Sequence, residues 1–144
     1  MKLLYYSFVV GLAGLASCQK EDATPLLTAA FNQPVTLRFQ QSAALPNQNT
    51  PELTITVKDV NDSRCPSDVI CFWAGVVYTN LGIQDQSGAS QTLTLSLGGI
   101  NDTVAPVQAN GQQYNIILKE VMPYPKGNDV PKEDKRVVLA IRRQ

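Results

Sequence analysis

Two cysteines, Cys65 and Cys71, stand six positions apart within the densest run of chemically distinctive residues in the chain, Asp62-Ser63-Arg64-Cys65-Pro66-Ser67-Asp68-Val69-Ile70-Cys71-Phe72-Trp73-Ala74-Gly75. In an oxidising compartment thiols this close tend to pair, and Pro66 starts the turn that lets them meet. A loop of about seven residues closed in this way stabilises a domain by roughly 2.4 kcal/mol in the chain-entropy account. A redox pair or a thiolate metal site fits poorly, because five residues separate only two thiols. Arg64 can pair with Asp62 or Asp68 across the loop. If the guanidinium instead faces outward, a trypsin-like pocket would accept it, and the loop would read as an extracellular protease inhibitor. Trp73 lies two residues past Cys71, so in an extended chain its indole falls on the same side and can cover the disulfide. Trp73 and Tyr124, the latter in Pro123-Tyr124-Pro125, are also aromatic surfaces on which a sugar ring could stack. Arg64, Trp73 and Tyr124 are therefore the candidate binding surface.

Other chemistry is thin. Asp59, Asn61, Asp62 and Asp68 supply oxygen ligands of the kind calcium takes, but without the glycine and spacing of an EF-hand, so a solvated loop is expected. The chain of 144 residues contains no histidine. That removes Ser-His-Asp and Cys-His catalysis and histidine-ligated zinc. No pair of carboxylates stands out for glycoside hydrolysis. We expect no catalytic residues, no metal site and no cofactor, hence not an enzyme. With 12 basic against 12 acidic residues there is no electrostatic footprint for nucleic acid.

The amino terminus reads as an address. Lys2, an apolar run from Leu3 to Ala16 and the small residues before Cys18 follow the three-part plan of a secretory signal. The run is about 14 residues, or roughly 21 Å as a helix, short for a ~30 Å hydrocarbon core. Leu15-Ala16-Ser17-Cys18 resembles a bacterial lipobox, which implies cleavage before Cys18 and a diacylglycerol on its thiol. Cys18-Gln19-Lys20-Glu21-Asp22 is similar to the surface-export signal of Bacteroidota-type lipoproteins, and Asp102-Thr103-Val104 to an O-glycosylation site of exported proteins from the same bacteria. The loop itself resembles a D-S-R-C-P-x-x-V-x-C-x-W-A-G signature in an uncharacterised family of small lipoproteins of this type, a likeness that extends to Val121-Met122-Pro123-Tyr124-Pro125. It implies no activity. The lipobox and export-signal likenesses imply an outer-membrane lipoprotein held by lipid at Cys18, exposed at the cell surface or facing the periplasm; we expect an envelope protein or glycan as partner. A non-catalytic binding or structural role follows, with protease inhibition as the alternative.

These residues must be positioned by strands. Val35, Leu37 and Phe39, then Leu53, Ile55 and Val57, alternate with polar neighbours. Val77, Thr79, Leu81 and Ile83 line one face of a third run, and Leu93, Leu95 and Leu97 give the cleanest alternation. Tyr114 to Val121 is apolar on both faces, as in a central strand, and Val137, Leu139 and Ile141 form the last. Val104 to Val107 reads as an edge strand that tolerates Pro106. Asp85 to Ala89 is the clearest hairpin turn; Asn110-Gly111 is another turn signal. At 44% hydrophobic and 17% charged, the chain suits one globular domain. We expect residues 1–17 to be a signal peptide, 18–34 a lipidated tether and 35–144 a single β-sandwich of six to seven mostly antiparallel strands. A small β-barrel is the alternative.

Overall fold

The computed structural model describes residues 24–98, 103–127 and 130–144. Within them the chain forms nine strands and one short 3-10 turn: β1 (Leu27–Thr28), β2 (Pro34–Arg38), β3 (Ser42–Leu45), β4 (Leu53–Asp62), β5 (Val77–Asp85), β6 (Ser90–Leu97), β7 (Val104–Ala109), β8 (Gln112–Met122) and β9 (Arg136–Arg143), with the turn at Lys132–Asp134. Two sheets, ordered β1-β3-β4-β5-β6 and β2-β9-β8-β7, pack face to face. The sheets do not close on each other, so the molecule is a sandwich and not the alternative barrel. All pairings are antiparallel except β1 with β3.

The period-two pattern is the reason for the layers. Leu53, Ile55 and Val57 of β4 and Leu81 and Ile83 of β5 are wholly buried. They face Leu118, Leu139 and Ile141 of the other sheet in one continuous core. β6 and β7 are edge strands, and Pro106 sits on β7, where a missing N–H costs least. Edge position also explains why, of the three leucines on β6, only Leu95 is fully buried. Asn110 and Gly111 both take positive φ, 53° and 71°, making the tight two-residue turn between Ala109 and Gln112. Asp85 holds the β5–β6 turn by accepting hydrogen bonds from Ser87 and Ala89.

Three features depart from expectation. Residues read as part of a tether are hydrogen-bonded to the domain from Thr24 onward and packed on it from Leu27. Leu27 and Thr28 pair with β3, and Phe31 stacks on Tyr114 with ring centres 5.7 Å apart. β3 itself was not legible, because Ser-Ala-Ala-Leu is too short to alternate and is buried at its last three positions. Finally, β4 and β8 each carry a bulge, after Val57 and after Leu118. A bulge inserts one residue and reverses which side chains point inward. Val60 and Val121 become core residues in consequence. On the same face as Val60, Asp62 is carried inward.

Candidate functional site: the cysteine loop and the loop that braces it

β4 ends at Asp62, β5 begins at Val77, and the intervening loop continues the ladder for a short distance. Ser63 N–H donates to Val76 O at 2.9 Å and Cys65 N–H to Ala74 O at 2.8 Å. Gly75 makes this approach possible. Its φ is +73°, and a Cβ there would lie 2.0 Å from the Ser63 carbonyl oxygen, so no other residue fits. Beyond this neck Cys65 and Cys71 are joined by a disulfide, with Cα atoms 5.9 Å apart.

Beneath the neck lies a buried ionic group. Arg64 donates Nε to Asp62 Oδ1 at 2.8 Å and Nη2 to Asp62 Oδ2 at 2.7 Å, a two-pronged contact. Lys135, just before β9, donates to the same Oδ2 at 2.6 Å. The side chains of Asp62, Arg64 and Lys135 are only 5%, 10% and 3% exposed. Burial pushes the Asp62 carboxyl upward, yet the hydrogen bonds from Arg64 and Lys135 outweigh it and hold its pKa below the ordinary 3.8.

The cations also reach the end of β8 and the segment that follows it. Arg64 Nη2 donates to Val121 O at 2.9 Å and Lys135 Nζ to Pro123 O at 3.0 Å. Ser67 N–H donates to Pro125 O at 3.0 Å, and Asp68 accepts from Gly127 N–H at 2.7 Å. The Met122–Pro123 bond is cis. The two similarity motifs, one around the cysteines and one around Pro123, are thus a single mechanical unit. One strand end bears the loop, and the other strand's continuation lies under it as a brace.

This geometry settles where each expected residue lies. Arg64 is held inward by Asp62, with its guanidinium 4.4 Å over the Tyr124 ring, so it is not presented to an outside pocket. The inhibitor reading therefore lacks the side chain on which it was built. Trp73 is 63% exposed. Tyr124 is half exposed beside that pair. Asp59 pairs with Lys132 at 3.1 Å, Asp62 with its two cations and Asp68 with the Gly127 N–H, so each of these three carboxylates is already engaged by a protein donor. Among the described residues no three of Asp, Glu, Cys and His gather as a metal site. Cys18 lies outside the described residues, as do the signal segment, Asp102, Asn128 and Asp129.

What sequence reasoning missed is the loop tip. Ile70 and Phe72 are entirely exposed, at 103% and 108%, and Val69 is half exposed, making with Trp73 an apolar apex around Cys71. The signal was available as Val-Ile-Cys-Phe-Trp, an apolar run falling between strands, where nothing pairs with it. No protein family, curated protein or solved structure matches this chain.

Proposed function

We propose that the protein is a lipid-anchored outer-membrane or cell-surface lipoprotein with a non-catalytic binding role, exercised through the tip of the disulfide loop. The observation that carries the reading is the full exposure of Ile70 and Phe72 on a loop closed by Cys65–Cys71 and braced by Asp62, Arg64 and Lys135. Clustered large apolar side chains are costly in water and mark contact surfaces. A cross-linked, braced loop also loses little conformational entropy when it engages, so more of its contact energy becomes affinity. The lipid anchor rests on the lipobox-like Leu15-Ala16-Ser17-Cys18. Among the described residues no helix is long and apolar enough to cross a membrane, so attachment through these residues would not be by a helical span.

The test is a photoreactive phenylalanine analogue at position 72, irradiated in the native envelope, with adducts identified by mass spectrometry. Adducts to a protein, glycan or lipid that vanish on Ile70→Ser support a binding tip. An absence of adducts from correctly folded protein overturns it. Protease added to intact cells decides the face: removal of the domain is expected for surface exposure, and full protection would place it on the periplasmic side.

A further inference from the structure

The direction in which the chain leaves the sandwich points to what the loop tip touches. β1 runs parallel to β3, and β3 antiparallel to β4, whose far end carries the loop. Residues before Leu27 therefore head toward the loop end of the domain. Thr24 Oγ1 donates to Gln40 O at 3.4 Å and Gln41 Nε2 to Pro25 O at 3.5 Å, while Gln40 N–H donates to Val57 O at 2.8 Å. Thr24 thus lies level with the stretch of β4 just after Val57.

Lengths make this consequential. From that level to Asp62 is about four residues of strand, or roughly 13 Å, and the continued ladder through Cys65 adds about 10 Å, with the tip beyond. Cys18 is six residues before Thr24. Even fully extended, that reach is at most about 22 Å. A lipid on Cys18 would hold Thr24 closer to the bilayer than the loop tip projects on the same side. With the strands near the bilayer normal and this end leading, the tip meets the headgroups before the tether is taut.

We propose that Ile70, Phe72 and Trp73 dock in the interfacial layer of the bilayer that holds the Cys18 lipid, fixing the domain's orientation as a second point of attachment. The proposal rests on the lipid-anchor reading above. Its chemistry is that of the membrane interface: Trp is enriched at headgroup level, where its ring lies in apolar surroundings and its N–H stays wet, and Phe and Ile insert below it. The disulfide and the ionic brace present these side chains together, so docking orders little that is not already ordered.

Trp73 is the chain's single tryptophan, so fluorescence reports the loop tip alone. The protein purified from membranes is reconstituted into vesicles of phosphatidylethanolamine and phosphatidylglycerol, with flotation and the mass at Cys18 recorded in parallel. Expected are a blue-shifted Trp73 emission, quenching by brominated lipid and a several-fold fall in acrylamide quenching. All three should reverse in Ile70→Ser/Phe72→Ser, which keeps the anchor and still floats. A lipidated, floating chain whose Trp73 stays as accessible as in detergent-free buffer overturns docking and leaves the anchor standing. A chain without lipid on Cys18 that still buries Trp73 in vesicles supports docking and removes the anchor. A chain that neither carries lipid nor responds overturns both. Trp73 indifferent to vesicles but shielded in a crosslinked envelope-protein complex overturns docking in favour of a protein partner.

Discussion

Replacing Asp62 with asparagine removes the one carboxylate shared by Arg64 and Lys135. In the folded protein these two cations are almost inaccessible and share a single negative charge. Hydrogen bonds to charged groups contribute about 1.5–3 kcal/mol each, so the three charge-assisted contacts to Asp62 are together about 4.5–9 kcal/mol, of which Asn, keeping one acceptor oxygen, retains about one contact. The expected loss is about 3–6 kcal/mol, in line with the 3–5 typical for stripping the partner from a buried charge. Charge balance gives an ordering as well. Lys135→Met forfeits the contacts to Asp62 and Pro123 but leaves Asp62 and Arg64 as a neutral, two-pronged pair with no charge stranded, so it costs less than Asp62→Asn. Arg64→Met leaves Asp62 with Lys135 but loses the Val121 contact and the packing on Tyr124, and falls between the two. Asp59→Asn, whose ion pair with Lys132 is nearly half exposed, costs less than about 1 kcal/mol. The assay is urea unfolding followed by far-UV circular dichroism, with the disulfide kept oxidised. Because the Asp62 pKa is depressed below 3.8, the unfolded chain binds the proton more readily. The stabilisation is therefore full above the unfolded value and lost as pH falls through the folded one. The gap between wild type and Asp62→Asn should be constant near neutrality and narrow below pH 3.8. An Asp62→Asn variant within about 1 kcal/mol of wild type at neutral pH, or a Lys135→Met variant that costs more, would refute the claim that this group braces the two loops.

Three further outcomes are expected. Gly75→Ala should destabilise by about 3 kcal/mol or more, because its Cβ meets the Ser63 carbonyl in a left-handed conformation; Gly88→Ala, with equally positive φ but open space around it, should cost about 1–2. Thermal melts compare the two, and equal losses would show that the neck tolerates a side chain. Thr79 Oγ1 is buried with no hydrogen-bond partner among the described residues, so Thr79→Val should leave stability unchanged or raise it by about 1 kcal/mol; a clear loss in urea would reveal a partner for that hydroxyl. Replacing Cys65 and Cys71 with serine should lower stability by up to about 2.4 kcal/mol and raise the protease sensitivity of residues 66–74 more than that of the strands. Uniform protection across the loop and the strands would mean that the ionic brace alone holds the loop.

Much of the sandwich was legible because it is written locally. Val77, Thr79, Leu81 and Ile83 share a face, and all four are buried. Val137, Leu139 and Ile141 behave likewise, Pro106 falls on an edge, and Cys65 meets Cys71 across a short loop. Legibility failed where alternation was broken or absent. β3 has no alternation to read, and β1 is two residues long and paired with that same unread strand. The bulge after Val57 places Val60 and Asp62 on the inward face, where unbroken alternation would have put Asp59 and Asn61. A one-residue change of phase exchanges the two faces of everything that follows, and it follows from pairing with β5.

Most of the strands, their buried faces up to each bulge, the hairpin turns and the proximity of two thiols are thus readable from the sequence alone, since each depends on neighbours within a few residues. The tertiary structure decided the rest. Lys135 reaches Asp62 across 73 positions and Arg64 reaches Val121 across 57, contacts that no local pattern encodes. Those contacts turn Arg64 inward, seat the loop on its brace and leave Ile70, Phe72 and Trp73 facing outward. The order of strands, set by which edges pair when the two sheets close over one core, aims the amino-terminal chain toward that same end.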